Sequence, residues 1–274
     1  MRKTIRNILT LALLAGLLVY AALLASLYWN QANLVYLPSR SIAATPALIG
    51  LDFEDVELRS ADGVRLHGWY LGHQNPRATL LFMHGNAGNV GHRLSTLELF
   101  HQLGLAVLII DYRGYGESEG SPYEAGIYRD AEAAWEYLIR DRGVDPSRLI
   151  LFGRSFGGAI AAYLASRQPH GALVLESTFT SLPEVAGDHF PWVPVSWLTR
   201  ERYDTRTRLS EIPGPVMIVH SREDEVVPYR HGEALYSLVR GDKRLVTLSG
   251  DHSNGVRLNQ ARYRAAWESF LASL

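Results

Sequence analysis

One serine of the chain stands in a tight, glycine-flanked turn where its hydroxyl could act as a nucleophile. The segment Gly153-Arg154-Ser155-Phe156-Gly157 follows the apolar run LILF and precedes the alanine-rich run AIAAYLA. A strand that reverses directly into a helix crowds the positions two residues on either side of the tip, so glycine is favoured there. Such a turn is predicted to hold Ser155 in a strained conformation with its hydroxyl projecting beyond the sheet edge.

A serine hydroxyl becomes a good nucleophile only when a base accepts its proton and a third group orients that base. The segment MIVHSREDEVVP offers Asp224 after a late strand, and VTLSGDHSNG offers His252 after the last strand. The predicted order along the chain is therefore nucleophile, acid and base. Glu223 and Glu225 flank Asp224, and Glu176 at the end of an earlier strand is a further candidate for the orienting acid.

The chain has ten histidines, so the base has to be selected by position. His252 lies in a glycine-flanked loop after the final strand, where an imidazole can reach over the sheet edge. His220 ends a buried strand and is predicted to pack beside the site. The other histidines, apart from His84, are interpreted as surface or core residues: His67, His73, His92, His101, His170, His189 and His231.

Acyl transfer also needs hydrogen-bond donors for the negatively charged oxygen that forms on the substrate. The loop FMHGNAGNVGHR follows an early strand, and we predict that the backbone N–H of Asn86 is one donor. The other is predicted to be the N–H of Phe156, at the positive end of the helix that follows the turn. His84 is expected to brace the loop. His84 and His92 lack an H-E-x-x-H pattern and an acidic partner, so we expect no metal and no cofactor.

These side chains need a scaffold, and the chain predicts an open, mostly parallel sheet with helices on both faces. Near-continuous apolar runs indicate strands that are buried on both faces. They are TLLFMHG, LAVLIIDYRG, LILFGRS, ALVLES, PVMIVHS and RLVTLSG. Helical patterns alternate with them, and two alternating runs around Asp62-Gly63 predict a preceding hairpin. One helix is predicted to begin with a capping box, in which Ser121 caps, Pro122 is the first residue and Glu124 closes the box.

The stretch 178–212 is too long for a simple connection and is predicted to form a small cap. It contains the apolar segment FPWVPVSWL. Its large side chains are predicted to bind an acyl chain or to dip into a membrane interface: Phe190, Trp192, Val193, Trp197 and Leu198. The alternative is that they only pack the cap onto the sheet.

The N-terminal segment is predicted to be a membrane anchor. Ile8–Leu27 is an uncharged apolar run that follows Arg2, Lys3 and Arg6, and as a helix it is long enough to cross a bilayer. Tyr28 and Trp29 then fall where an interfacial aromatic belt would lie. A cleaved signal peptide is the alternative, but it favours a shorter run and an A-x-A-like site. Positive charge before the run predicts a cytoplasmic N-terminus and a large domain on the far side of the membrane, periplasmic in a bacterium.

Composition excludes some functional classes. A net charge of -1 gives no electrostatic reason to expect nucleic acid, and the absence of cysteine excludes a thiol nucleophile. The oligomeric state is not predicted.

From about Leu34 to the C-terminus the sequence resembles the α/β-hydrolase superfamily of serine hydrolases. The resemblance rests on HGNAGN, DYRGYGESEG, GRSFGG, SREDEVVP and GDHSNG, and it is closest to single-pass, membrane-anchored esterases and depalmitoylases. It implies an α/β-hydrolase fold and hydrolysis of acyl esters or thioesters through Ser155, Asp224 and His252. The predicted organisation is an anchor at 1–30, a connector at 31–50 and an α/β-hydrolase domain at 51–274 that carries the cap.

The expected partners are a small-molecule acyl ester or lipid substrate and, through the N-terminal helix, a membrane. Two alternatives remain open at this point. One is a serine peptidase on the same fold, and the other is a non-catalytic, membrane-tethered binding protein. An epoxide- or halide-cleaving enzyme is disfavoured because it would require aspartate at position 155.

Overall fold

The computed structural model describes residues 1–212 and 214–274. The strands are β1 (Leu37–Pro38), β2 (Glu54–Arg59), β3 (Arg65–Leu71), β4 (Ala78–Met83), β5 (Ala87–Gly88), β6 (Leu105–Ile110), β7 (Leu149–Arg154), β8 (Ala172–Glu176), β9 (Val216–Ser221) and β10 (Lys243–Leu248). The helices are α1 (Arg2–Trp29), α2 (Gln31–Val35), α3 (Leu94–Gln102), α4 (Glu124–Glu136), α5 (Phe156–Ala165), α6 (Leu182–His189), α7 (Val195–Leu198), α8 (Thr205–Leu209), α9 (Arg230–Leu238), α10 (Gly255–Leu258) and α11 (Gln260–Leu271). A π-helical turn, Tyr137–Asp141, extends α4.

A central eight-stranded sheet has the order β10-β9-β8-β7-β4-β6-β3-β2. Only β3 runs antiparallel to its neighbours, β2 and β6, and the other pairs are parallel. Every residue of β4, β6, β8 and β9 is buried, because helices cover both faces of these strands. The predicted mostly parallel sheet is confirmed, and its carboxyl edge collects the loops that follow β4, β7, β8, β9 and β10.

Two apolar cores lie on opposite faces of the sheet. On one face the core includes Ile127 of α4, Ile160 of α5 and Leu235 of α9. On the other face it includes Phe100 of α3 and Trp267 of α11. Helices therefore cover both faces, so a ligand can reach the ends of the strands only through the loops at the sheet edge.

The capping box predicted for α4 is wrong. The helix begins at Glu124, and the side chain of its N-cap, Tyr123, makes no cap hydrogen bond. The Glu124 N–H donates instead to Glu201 Oε2 (2.8 Å). The Glu124 carboxylate instead accepts hydrogen bonds from the backbone N–H groups of Arg202 (2.5 Å) and Tyr203 (2.8 Å). Glu124 thus binds the backbone of residues 202–203 instead of its own helix start. These residues are far from it along the chain, so a local sequence pattern does not reveal them.

The N-terminal helix α1 is long and apolar enough to cross a membrane, with a mean hydropathy of 2.5 over its most apolar window and no buried residue in that window. By length and composition it fits a membrane anchor or a signal sequence. The predicted connector that follows it is ordered. It contains α2 and the strand β1, which pairs in parallel with β5.

Three short helices, α6, α7 and α8, lie between β8 and β9, in the stretch predicted to form a cap. The stretch that contains them is connected to α1 and α2 at several points. Tyr20 Oη donates to the Trp192 carbonyl (2.8 Å), and Gln31 Nε2 donates to the Leu198 carbonyl (2.8 Å). Arg200 Nη2 donates to the Tyr28 carbonyl (2.7 Å).

Candidate active site

Ser155 stands in a strained turn between β7 and α5. Its backbone has φ 52° and ψ −121°, a region that non-glycine residues rarely adopt. A Cβ at Gly153 would lie 2.3 Å from the Gly157 carbonyl oxygen, and one at Gly157 would lie 2.0 Å from the Met83 carbonyl oxygen. The flanking glycines are thus required by close backbone approach, as the G-x-S-x-G pattern predicts.

The residues after β8 hold this turn in place. The Ser155 N–H donates to the Glu176 carbonyl (2.8 Å), and Thr178 Oγ1 donates to the Ser155 carbonyl (2.6 Å). Both polar groups of the Ser155 backbone are therefore satisfied, which compensates in part for the strained dihedral angles. The hydroxyl is left to point away from the backbone.

Three loops bring Ser155, His252 and Asp224 together. Ser155 Oγ lies 3.0 Å from His252 Nε2, and His252 Nδ1 lies 2.8 Å from Asp224 Oδ2. Because a carboxylate can only accept, Nδ1 carries the proton and Nε2 is free to accept one from the serine hydroxyl. The arrangement can therefore activate the hydroxyl as a nucleophile.

Asp224 is buried and accepts further hydrogen bonds from the N–H groups of Val226 (3.0 Å) and Val227 (2.7 Å). Burial alone would raise its pKa. The hydrogen bond and charge of His252, with the Val227 N–H, outweigh burial and hold the pKa of Asp224 below its usual value. The carboxylate is therefore ionised at neutral pH. In that form it can orient the His252 imidazole and stabilise the positive charge that forms on the ring during the reaction.

The other acidic candidates have different partners. Glu176 pairs with Arg154 Nε (3.1 Å) and accepts from Tyr263 Oη (2.5 Å). Glu223 accepts from the Gly250 N–H (2.8 Å), and Glu225 accepts from the His252 N–H (3.1 Å). The two glutamates that flank Asp224 thus hold the backbone of the histidine loop.

The loop that contains Asn86 lies beside the nucleophile. A Cβ at Gly85 would lie 3.6 Å from Ser155 Cβ. Phe156 is the first residue of α5, so its N–H is one of the donors that a helix leaves free at its start. Within residues 1–212 and 214–274, neither the Asn86 nor the Phe156 backbone N–H donates to a protein acceptor.

His84 packs under this loop. It is fully buried, its Nδ1 donates to the Gly85 carbonyl (2.7 Å), and its Nε2 lies 3.5 Å from Asp111 Oδ1. Tyr112 Oη donates to the His84 carbonyl (2.9 Å). Burial lowers the pKa of His84, so the imidazole is neutral here. His220 is likewise buried, and its Nε2 donates to the Val227 carbonyl (2.8 Å) in the loop of Asp224.

The predicted substrate-binding residues of the cap lie mostly at the surface. Trp197 is 89% exposed, Trp192 is 56% exposed and Phe190 is 50% exposed, whereas Val193 is buried. Leu198 is half-buried, and its carbonyl accepts from Gln31, the first residue of α2. The structure therefore gathers most of these side chains on an outer face of the cap, adjacent to the N-terminal helix.

Sequence reasoning missed several residues that shape this site. Thr178 and Arg154 support the Ser155 turn and the His252 loop, the latter through a hydrogen bond from Arg154 Nη2 to the His252 carbonyl (3.1 Å). Their positions directly after β8 and at the end of β7 could have revealed them. Tyr36 and Tyr203 also pack against Phe156, and no local motif marks either of them.

Curated relatives cover most of the chain. It is 38% identical over 231 residues to the α/β-hydrolase domain-containing protein WAV2 of Arabidopsis thaliana, which covers 76% of this chain and 75% of that protein. It is 36% identical over 256 residues to protein bem46 of Schizosaccharomyces pombe, and the match covers 88% of this chain and 86% of that protein. The chain belongs to the α/β-hydrolase family. Residues 74–201 of this α/β-hydrolase also match a family model described as serine aminopeptidase, S33.

Solved structures confirm the fold of this α/β-hydrolase. An esterase from Pyrococcus furiosus superimposes with a TM-score of 0.74 at 20% identity, covering 87% of this chain and 98% of that one. At this level of identity the likeness concerns the fold, and the predicted α/β-hydrolase architecture is correct.

Proposed function

We propose that this protein is a serine hydrolase that cleaves acyl esters or thioesters of lipids or lipidated molecules through an acyl-enzyme intermediate. One observation carries the proposal, the continuous hydrogen-bonded chain from Ser155 Oγ through His252 to Asp224 (3.0 and 2.8 Å). Ser155 is the nucleophile, His252 the general base and acid, and Asp224 the orienting carboxylate.

In the first half of the reaction His252 Nε2 takes the hydroxyl proton as Ser155 Oγ bonds to the acyl carbon. The carbonyl electron pair moves onto oxygen, and the N–H groups of Asn86 and Phe156 bind the resulting oxyanion. The intermediate then breaks its bond to the leaving oxygen or sulfur. His252 Nε2 returns the proton to that group, which departs as an alcohol or a thiol.

The second half repeats this sequence with water. His252 Nε2 takes a proton from a water molecule, whose oxygen attacks the acyl-Ser155 carbonyl. The same two donors bind the second oxyanion. When it collapses, Ser155 Oγ leaves and recovers a proton from His252, and the product is a carboxylic acid.

The proposed substrate class rests on the cap and on the N-terminal helix. Phe190, Trp192 and Trp197 are exposed beside α1. Exposed tryptophans of this kind are favoured at a membrane–water interface. With Val193 and Leu198, they are proposed to contact the acyl chain or the lipid around it.

The helix α1 is proposed to be retained as a single-pass anchor with a cytoplasmic N-terminus. Contacts of α1 with the cap support retention, since Tyr20 Oη donates to the Trp192 carbonyl and the Tyr28 carbonyl accepts from Arg200 Nη2. The hydrolase domain would then lie on the extracytoplasmic side, in the periplasm of a bacterium. The mass of the N-terminal peptide of purified protein, together with protease protection of the domain in intact cells, tests both points.

An amide-cleaving enzyme is the second candidate, because the matching family model is described as a serine aminopeptidase. Such an enzyme needs a carboxylate for the substrate's ammonium group. The acids nearest the proposed nucleophile already have partners, since Glu176 pairs with Arg154 and Tyr263. These contacts favour the ester hydrolase.

The deciding experiment combines active-site labelling with a substrate series in the full-length, detergent-solubilised protein. A fluorophosphonate probe should label the wild type and not Ser155→Ala, and a non-catalytic binding protein would label in neither case. p-Nitrophenyl esters from acetyl to palmitoyl, a long-chain thioester and aminoacyl anilides then separate the substrate classes. Faster turnover of the anilides than of every ester would favour the peptidase.

The role of the cap is tested in the same series. Trp192→Ala with Trp197→Ala should lower turnover of palmitoyl esters much more than that of acetyl esters, which serve as the internal control. Equal losses on both would show that these side chains only pack the cap.

A further inference from the structure

The segment directly after the membrane helix runs against the loop that carries Asn86. We call Val35–Ser39 the strap. Its strand β1 pairs in parallel with β5, aligning Leu37 with Ala87, and the Ser39 N–H donates to the Gly88 carbonyl (3.0 Å). The Ser39 carbonyl in turn accepts from Asn89 Nδ2 (3.1 Å). The backbone of the loop is thus paired to the strap.

The side chain of Asn86 is held by the strap at both of its polar ends. Its Nδ2 donates to the Val35 carbonyl, and its Oδ1 accepts from the Leu37 N–H (3.4 Å). Tyr115 Oη also donates to Oδ1 (2.8 Å). With the amide fixed in this way, the peptide that carries the Asn86 N–H has little freedom to rotate.

The strap also contacts the other proposed oxyanion donor. Tyr36 is only 4% exposed, and its ring packs edge-on against Phe156 at 5.9 Å between centroids. Its hydroxyl lies 2.7 Å from that of Tyr203, whose ring is 4.6 Å from Phe156. Phe156 is therefore enclosed between one ring from the strap and one from the cap region.

We infer that the strap positions both oxyanion donors, Asn86 through its side-chain amide and Phe156 through the ring of Tyr36. The inference rests on the proposed function, since it assigns a role in the same reaction. Donors must be aimed at the place where the oxyanion forms, and a misplacement of about 1 Å can lower a rate by about a hundredfold. The segment that follows the proposed membrane helix thus helps to set the geometry of the catalytic site.

The strap residues are positioning residues, and their test has to separate positioning from general stability. The full-length protein is compared with Asn86→Ala, Tyr36→Ala and Tyr36→Phe, using a soluble short-chain ester. Asn86→Ala keeps the backbone N–H and loses both strap contacts, together with the hydrogen bond from Tyr115 Oη. Tyr36→Phe keeps the ring on Phe156 and loses only the hydroxyl contact.

Phe270→Ala is the matched control for Tyr36→Ala. It also removes a buried aromatic ring, but from the core on the opposite face of the sheet, beside Trp267. Both variants should lower Tm. Only Tyr36→Ala should lower kcat per folded molecule.

We expect Asn86→Ala and Tyr36→Ala to lower kcat by about 10- to 100-fold with KM changed less than about threefold. The rate of fluorophosphonate labelling should fall with kcat. Tyr36→Phe should restore kcat to within about threefold of the wild type. If Tyr36→Ala does not fold, Tyr36→Leu is measured in its place, because leucine fills more of the space of the ring. The kcat of Asn86→Ala then decides whether the strap positions the donors.

The outcomes separate the two proposals. Unchanged kcat in Asn86→Ala and Tyr36→Ala, in an enzyme whose ester turnover depends on Ser155, overturns the positioning role alone. Equal kcat loss in Phe270→Ala also overturns it, because a general loss of stability would then explain the effect. Absence of any Ser155-dependent turnover overturns the proposed function and the positioning role with it.

Discussion

Two histidine–aspartate pairs of this protein have the same separation and very different surroundings. His252 Nδ1 lies 2.8 Å from Asp224 Oδ2, and His231 Nε2 lies 2.8 Å from Asp188 Oδ2. Each histidine also faces a hydroxyl through its other ring nitrogen. At His231 that hydroxyl belongs to Thr180, whose Oγ1 is 2.8 Å from Nδ1. Pair geometry alone does not distinguish the two.

The hydroxyls differ in what surrounds them. Thr180 is 1% exposed, its hydroxyl also contacts the Glu184 carboxylate, and its own N–H donates to His231 Nδ1 (3.2 Å). Ser155 is half-buried on a strained turn at a helix start, where free N–H groups are available. Only Ser155 can meet a substrate carbonyl and an oxyanion donor together.

The second pair is also unsuited to accept a proton. Burial, and then the charge of Arg230, lower the pKa of His231 to about 4. A general base works best when its pKa lies near the working pH. The comparison shows that a histidine–aspartate contact becomes a candidate active site only when the turn, the exposure and the donors are present with it.

The largest effect on kcat is expected when the Ser155 hydroxyl is removed, and almost none when the Thr180 hydroxyl is removed. Ser155→Ala should lower kcat by about ten-thousandfold or more, since it removes the proposed nucleophile. Thr180→Ala should leave kcat per folded molecule within about twofold, because that hydroxyl does not meet the substrate. Ester turnover measured on purified protein checks both. Comparable losses in the two variants would contradict the proposed role of Ser155 as the nucleophile.

The next largest effect on kcat is expected when the Asp224 carboxylate is replaced, and little effect when the Asp188 carboxylate is replaced. Asp224→Asn should lower kcat by about a thousandfold or more, because the amide favours the wrong tautomer of His252. Asp188→Asn should change kcat less than about threefold. Circular dichroism confirms that each variant is folded. A small effect at Asp224 together with a large one at Asp188 would reverse the assignment.

A smaller effect is expected at the support of the Ser155 turn. Thr178→Val removes the hydrogen bond to the Ser155 carbonyl, which retains one from the Gly158 N–H (2.9 Å). The free energy of unfolding should fall by about 1 kcal/mol, and kcat by about three- to tenfold. Urea unfolding and ester turnover measure the two quantities. A stability loss with unchanged kcat would show that the turn does not need this bond for catalysis.

The smallest effect concerns stability and pH at His231. Its folded pKa of about 4 lies below the ordinary 6.5, so between these values only the unfolded chain takes up the proton. Stability should therefore fall as pH decreases through this interval, and the loss is complete below the folded pKa. His231→Gln should make the decrease of Tm between pH 7.5 and 5 shallower by about a few degrees.

The groups that face His231 are Asp188, Thr180, Glu184, Arg206 and Arg230. Burial also lowers the pKa of His84, His170 and His220. These residues therefore make stability fall with decreasing pH in the wild type and in His231→Gln alike. The comparison between variant and wild type isolates His231. An equal or steeper decrease of Tm in the variant would contradict the shift assigned to it.

Much of the candidate site could be read from the sequence because its signals are local. The glycines around Ser155 are dictated by contacts within one turn, and Asp224 and His252 stand directly after apolar strands whose ends must meet at one sheet edge. The capping box of α4 was wrong because the Glu124 carboxylate is bound by residues 202 and 203, far along the chain.

The sequence itself determined the order of the elements along the chain, the mostly parallel sheet and the glycine-flanked turn at Ser155, since burial patterns and turn residues depend on near neighbours. The tertiary structure decided how closely Ser155, His252 and Asp224 approach one another and how the strap pairs with the loop of Asn86. Tyr36 and Tyr203 are separated by 167 positions yet share a hydrogen bond. Such contacts depend on how distant elements pack together, so no local spacing or periodicity records them.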